Sequence, residues 1–310
     1  AAEPAADVRK RLEAWNEQSS RPEAQVRVVA SDFDSGWAVV NKPSGMHCSP
    51  CGYTKKSTTL EAYLLALMPP PSRGTRSRAP KVCHRLDFRV CGPVVVASSD
   101  DMMRAVKSAF ERRRVCKEYR AIVCGCLGAV GEKLVVQAPV DGDAAETRLE
   151  VLRTAPCPHY GVITEVRLWP VTGRHQQLRR HCAEALGAPI VNEEPALFHK
   201  AAVEWERRRG CRLPPRVVRD SGSLFLQAVR VETSCESGGE AHHILASVDV
   251  AERFDRLLRT SERAFGDGWR TDASGGTFRA DQGGEAQRFA GASPAERVEP
   301  CDASSAVGES

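Results

Sequence analysis

The stretch best suited to chemistry is His84-Arg-Leu-Asp-Phe-Arg-Val-Cys-Gly92, which runs into the apolar segment Pro93–Ala97. A carboxylate set just before a Gly-containing turn into a buried strand is held rigidly and near a surface. The ordinary role of such an Asp is to cap the turn; what draws attention to Asp87 is its company. Arg73, Arg76, Arg78, Lys81 and Arg85 lead up to it, and Arg112, Arg113, Arg114 and Lys117 follow. Two more clusters are Arg174, Arg179 and Arg180, then Arg207, Arg208 and Arg209. Clustered cations either form solvated faces or hold phosphates. Metal chemistry is the other candidate, because Cys48-Ser-Pro-Cys51 is a Cys-x-x-Cys with His47 adjacent and Cys83-His84 downstream. Zinc needs four converging ligands, and a second pair at finger spacing is missing from the sequence. Cys124 and Cys126 share one face of a predicted strand and are poorly placed for one metal. Buried thiols are expected there, and no metal site.

The elements that position these residues are short. Residues 1–25 read as a polar helical arm, with Val8, Leu12 and Trp15 at near-helical spacing. Extended runs follow at Val26–Ala30, Trp37–Val40, Val94–Ala97, Tyr119–Val123, Lys133–Gln137, Thr147–Leu152, Val162–Leu168 and Leu224–Val231. Three helices interrupt them. The first has capping-box spacing at Thr58 and Glu61, then Leu60, Leu64 and Leu67. The second follows Ser99-Asp100 and carries Met103, Val106 and Phe110. The third is opened by Thr172, carries Leu178, Cys182 and Leu186, and closes at Gly187. This pattern predicts an α+β fold on a central mixed, mostly antiparallel sheet with flanking helices. From about Ala264 the chain is rich in Gly, Ala, Ser, Glu and Arg, and a flexible tail is expected.

The totals set the frame. The chain has 310 residues, 42% hydrophobic and 27% charged, enough to bury a sizeable core in one large domain or two ordinary ones. Its apolar runs are far shorter than the ~20 residues that cross a bilayer, so a soluble protein and no membrane partner are expected. A net charge of +4 is mild; the placement of the cations says more than their sum. Twelve cysteines without a visible secretory signal suggest reduced thiols. The chain opens on Ala1, and the compartment expected from the missing start is the mitochondrion or another organelle matrix, with the cytoplasm as the alternative.

In order along residues 26–232, the motifs resemble the RluA branch of the RNA pseudouridine synthases. Val39-Val-Asn-Lys-Pro-Ser-Gly-Met-His47 is similar to the family's opening strand and Lys-Pro-x-Gly turn, and His84-Arg-Leu-Asp87 to its catalytic motif. Lys117-Glu-Tyr119 resembles its Lys-x-Tyr strand, and Thr147-Arg-Leu-Glu-Val-Leu152 the next strand. Thr172-Gly-Arg-His-Gln-Gln-Leu-Arg179 resembles its Thr-Gly-Arg-x-His-Gln-Ile-Arg motif, and Leu224-Phe-Leu-Gln-Ala228 its Leu-His-Ala strand. Six motifs in the right order are a specific signal. The resemblance implies the pseudouridine synthase catalytic fold, with an active-site cleft, and isomerisation of uridine in ribosomal or transfer RNA. The reaction breaks N1–C1′, turns the base and rejoins it through C5, so no cofactor is implied. The resemblance makes Asp87 the catalytic carboxylate, as nucleophile or as a base toward the sugar. Arg179 would pair with it and favour its ionised form. Tyr119 would stack on the target base, or else serve as a strand-core tyrosine. Arg85 would fill the space left by the flipped base. Arg73, Arg76, Arg78, Lys81, Lys117 and Arg174 are the expected RNA contacts.

Several family positions differ. Val90 and Cys91 stand where the family has Thr-Ser, Gln176 replaces the His of Gly-Arg-x-His-Gln, and Gln227 replaces the His of Leu-His-Ala. Asn192-Glu-Glu-Pro-Ala196 stands in place of Gly-Asp-x-x-Tyr. Two functions therefore stay open. One is an active synthase. The other is a catalytically degenerate RNA-binding factor in ribosome assembly, with ribosomal or assembly-factor proteins as partners. The expected layout is an arm over 1–25, a catalytic domain over 26–260 with a helical insertion at 197–223 facing RNA or a partner, and a flexible tail over 261–310.

Overall fold

The computed structural model describes residues 5–52, 56–69, 79–219, 222–265, 269–271 and 277–279. Helix α1 (Ala5–Glu17) leads through a single 3-10 turn into strands β1 (Arg27–Asp32) and β2 (Trp37–Lys42). After α2 (Leu60–Leu67) and the two-residue β3 (Lys81–Val82) comes β4 (Gly92–Ala97). Together these strands make a four-stranded antiparallel sheet in the order β1-β2-β4-β3. Helix α3 (Asp100–Glu111) then leads to β5 (Cys116–Cys124), β6 (Lys133–Val136), β7 (Thr147–Cys157) and β8 (Gly161–Pro170). Beyond a helical stretch, β9 (Leu226–Ser237) and β10 (Glu240–Ser247) complete a six-stranded sheet, order β10-β9-β5-β8-β7-β6. All its neighbouring strands pair antiparallel.

The expectation of one mixed sheet becomes two antiparallel sheets joined at a seam. There Cys91 forms a parallel bridge to Gln227, and the Ala228 amide donates to the Cys91 carbonyl at 2.9 Å. Gly92, with φ of 134°, makes this approach possible, since a Cβ at that position would lie 2.2 Å from the Ala228 carbonyl oxygen.

Every residue of β2 and β4 is buried, and alternation explains it. Ala38, Val40, Val94 and Val96 face the main core, while Val39, Val95 and Ala97 face α3. Helix α3 packs there through Met102, Val106 and Ala109, and the Ser99 hydroxyl caps it by accepting from the Met102 amide. At the other side α1 buries Val8 and Leu12, and Asn16 exchanges hydrogen bonds with Val26 at both backbone atoms.

Local signals misplaced two helix starts. The N-cap of α2 is Thr59, with no side-chain cap bond, and Glu61 instead accepts from the Val82 amide at 3.4 Å. The helix expected to open at Thr172 begins at Gln177, as α4 (Gln177–Arg180), and continues as a π-turn over His181–Ala185. Thr172 is already committed, accepting from the Glu146 amide and donating to Gln177 Oε1. In the 197–223 region lie α5 (Pro195–Lys200) and α6 (Ala202–Arg209). Helix α7 (Glu252–Phe265) crosses the boundary expected at 260, tied to β7 by Arg153 bridges to Asp255 and Glu262. Within the expected tail, the short β11 (Trp269–Thr271) and β12 (Thr277–Arg279) pair with each other.

Candidate active site

Elements from both sheets converge at the seam. Asp87 lies in the loop between β3 and β4, held by a turn in which the Val90 amide donates to the Asp87 carbonyl at 3.0 Å. Tyr119 lies on β5 beside a register shift against β9, a bulge that re-aims side chains. Arg179 comes from α4. Its Nη1 lies 3.6 Å from Asp87 Oδ2, with Arg179 3% exposed and Asp87 23%.

The Arg179 guanidinium is fixed from behind. Its Nε donates to both oxygens of Glu193 at 3.1 Å, and Nη2 reaches Glu193 Oε1 at 2.5 Å and Glu194 Oε1 at 3.0 Å. Burial works against the charge on Arg179, but the Glu193 bonds and the charges of Glu193, Glu194 and Asp87 outweigh it and raise its pKa. With Nε and Nη2 engaged, Nη1 is the nitrogen turned toward Asp87. Burial, reinforced by the Asp87 charge and by Cys48, pushes the Tyr119 phenol well above its ordinary range, so it is neutral and can donate a hydrogen bond.

Lys42, at the end of β2, is fully buried. It donates to the carbonyls of Pro43 and Met46 at 2.9 and 2.8 Å. Burial lowers its pKa to about 8 against the opposing charges of Cys48, Cys91 and Asp87. Its ammonium stitches the Lys42–Met46 turn closed beneath the site. A second stitch links that turn to the Asp87 loop. The Gly45 amide donates to the Phe88 carbonyl at 2.8 Å, the Ser44 hydroxyl to the Arg89 carbonyl at 2.9 Å, and Cys48 Sγ accepts from the Leu86 amide at 3.3 Å.

The expected RNA contacts divide. Arg73, Arg76 and Arg78 lie outside the described residues. Lys81 and Arg85 are exposed beside the Asp87 loop. Lys117 is partly buried near Gly173, and burial lowers its pKa. Arg174 binds Asp143 and the Ala144 carbonyl, both at 3.2 Å, which braces the turn before β7. The Arg207–Arg209 run does not form a free cationic face. Arg207 and Arg208 pair with Glu204, and Arg209 lies over the Trp205 ring at 4.1 Å and donates to the Gly187 and Cys126 carbonyls.

A family model described as RNA pseudouridylate synthase matches residues 36–184. The dual-specificity RNA pseudouridine synthase RluA of Haemophilus influenzae is 33% identical over 52% of this chain and 73% of its own. The chain belongs to the RluA-type RNA pseudouridine synthase family. The mitochondrial pseudouridylate synthase RPUSD4 of Xenopus tropicalis is 27% identical over 81% of this chain and 88% of its own. Against several other curated relatives the chain spans about half to two thirds of their length. The solved human RNA pseudouridylate synthase domain containing 4 superposes with a TM-score of 0.53, covering 83% of this chain and 97% of that one at 21% identity, which shows a shared fold.

Several departures from the family pattern have a structural use. Asn192 stands at a family glycine and adopts φ of 68°, a left-handed conformation Asn tolerates. Its side chain donates to the Arg219 and Ser223 carbonyls and accepts from the Arg219 amide. Glu193 stands at the family Asp and anchors Arg179. Gln227 donates to the Asp249 carbonyl and accepts from the Ala251 amide, both at 2.8 Å. Val90 and Cys91 are buried in the packed turn. Gln176 takes φ of 52°, a strained conformation beside a 200 Å³ opening lined by His175, Arg180, Glu194 and Lys200. Glu193 and Glu194 were missed as site residues from sequence. The available signal was a carboxylate at the family's acidic position.

Proposed function

We propose that the chain isomerises uridine to pseudouridine in structured RNA, ribosomal or transfer, with Asp87 as the catalytic carboxylate. The observation that carries this reading is the buried Arg179, clamped by Glu193 and presenting Nη1 to Asp87 at the seam, with Tyr119 beside them. Asp87 would act on the flipped nucleotide as N1–C1′ breaks. After the base turns and C5 bonds to C1′, the hydrogen on C5 must leave and N1 must gain one. Neutral Tyr119 is suited to stack on the base and hydrogen-bond to it, while Asp87, free again once C5 has bonded to C1′, is the carboxylate available to take the C5 proton as N1 is protonated from solvent. Exposed Arg85 fills the vacated stack, Lys81 and Lys117 border the strand's path, and Arg73, Arg76 and Arg78, outside the described residues, are further phosphate contacts expected from the sequence. Arg174 contributes by holding the neighbouring turn. The likeness to a mitochondrial relative supports a mitochondrial or other organelle matrix as its compartment.

The test follows from the fate of the C5 hydrogen. RNA transcribed with 5-tritiated uridine, incubated with the purified chain, is expected to release tritium to water, and Asp87→Asn is expected to abolish the release. Retained RNA binding without release by the wild-type chain would instead favour a degenerate synthase that binds RNA without turning it over.

A further inference from the structure

The Asp87 loop carries an aromatic ring that the isomerisation chemistry does not use. Phe88, between buried Leu86 and Val90, is 45% exposed. A lone exposed Phe is ordinary on a protein surface and needs no explanation. Phe88 differs in three respects. It directly follows Asp87. Its ring lies against a second ring, His47, at 4.6 Å between centroids and 37° between planes. Both rings sit on backbone fixed from either side, because the Phe88 carbonyl accepts from Gly45, the His47 carbonyl accepts from Leu60 at the start of α2, and Cys51 Sγ lies 3.3 Å from His47 Nδ1. Exposed Arg85 and Lys81 lie close by in sequence and supply positive charge for a phosphate backbone.

We propose that Phe88, backed by His47, is a stacking platform for an unpaired base of the RNA strand next to the uridine that enters the Asp87 site. This rests on the proposed function, and it adds a binding subsite to it. The chemistry suits a base better than any other occupant. A flat π-surface beside cations is what an unstacked base requires, and stacking on it does not depend on base identity. Rigid backbone on both loops keeps the cost of ordering the platform low. A uridine that leaves its stack exposes the faces of its neighbours, so a protein surface that covers one neighbour offsets part of the cost of flipping. The platform would therefore favour targets in single-stranded loops over targets in duplex.

The test uses a labelled single-stranded RNA of ~12 nucleotides with one central uridine. Its affinity is measured for the wild-type chain, Phe88→Ala, Phe88→Trp, and Phe33→Ala as an exposed-aromatic control. Phe88→Ala is expected to weaken binding by about 5- to 100-fold, with Phe88→Trp restoring it and Phe33→Ala neutral. Replacing one nucleotide beside the uridine with an abasic residue should weaken wild-type binding by a similar factor and have no further effect on Phe88→Ala. Thermal melting of each variant confirms that it is folded. Binding unchanged by Phe88→Ala, or equal losses for intact and abasic RNA in both proteins, would overturn the platform alone. Failure of the folded wild-type chain to bind RNA would overturn the functional reading as well.

Discussion

Replacing Glu193 with Gln keeps the side-chain volume but removes the charge that anchors Arg179. Glu193 is fully buried and meets Arg179 through contacts of 3.1, 3.1 and 2.5 Å, while one of its oxygens also accepts from the Glu194 amide at 2.8 Å. In the amide, an NH2 donor replaces one oxygen and faces Arg179 Nε in either orientation, and if it takes the Oε1 place Nη2 and the Glu194 amide lose their acceptor as well. Removing one partner of a fully buried pair costs about 3–5 kcal/mol when the other charge is left uncompensated. Here Arg179 keeps Glu194 at 3.0 Å and Asp87 at 3.6 Å, and the expected cost falls to roughly 2–3 kcal/mol. Glu194, 43% exposed, is the internal control: Glu194→Gln should cost less than about 1 kcal/mol because solvent screens that pair. Urea unfolding reads both, and the expectation is a lower midpoint at unchanged m-value for Glu193→Gln alone. Isomerisation should also fall at least ~10-fold in Glu193→Gln, since Arg179 is free to turn toward Glu194 and away from its present approach to Asp87. Equal midpoints for the two variants, or wild-type turnover in Glu193→Gln, would refute the reasoning.

Other expectations follow from the same contacts. Gly92→Ala forces a Cβ to within 2.2 Å of the Ala228 carbonyl oxygen at φ of 134°, so it should destabilise by more than ~3 kcal/mol or prevent folding, read by thermal melting. Asn192→Gly keeps the left-handed backbone but loses three side-chain hydrogen bonds, while Asn192→Ala loses both, so calorimetry should rank wild type above Gly above Ala. Burial, aided by Lys117, lowers the His84 pKa to about 3, and His84 Nε2 accepts from the Val95 amide. Below the unfolded value of about 6.5 the unfolded chain binds a proton that the folded chain refuses, so this group's contribution falls with pH down to about 3. His84→Gln should flatten stability against pH across that window.

Much of the fold was legible because some of its strands alternate cleanly, as in Thr147–Leu152, and because helix α3 carries a Ser cap with an apolar stripe behind it. What stayed hidden was decided by distant partners. The late start of α4 depends on Gln177, whose amide satisfies Thr172, Arg174, Glu146 and Thr147 at once, a network no capping rule encodes. Strand β10, Glu240–Ser247, was overlooked because only Ile244 and Ala246 on its inner face are buried, against α3 and β9, and the neighbouring His242 and His243, on opposite faces, blur the apolar alternation. The motifs named Asp87, Tyr119 and Arg179, and the structure brings them together at one seam. Charge clusters were the poorest guide. Arg174, Arg207, Arg208 and Arg209 look alike in sequence, yet Arg174 and Arg209 are engaged by a carboxylate or carbonyls from distant parts of the chain, while Arg207 and Arg208 pair with Glu204 one turn earlier on their own helix. The role of Glu193 needed the tertiary contact, since only its side-chain reach to Arg179 distinguishes it from Glu194.

The central claim is that uridine is isomerised at Asp87. Pseudouridine mapping of total RNA, organellar RNA included, tests it most directly in cells carrying wild-type protein or Asp87→Ala at equal abundance. At least one pseudouridine is expected to disappear in the variant, which would also name the substrate. An identical map, with a growth or ribosome defect on removing the whole protein but not in Asp87→Ala, would contradict it.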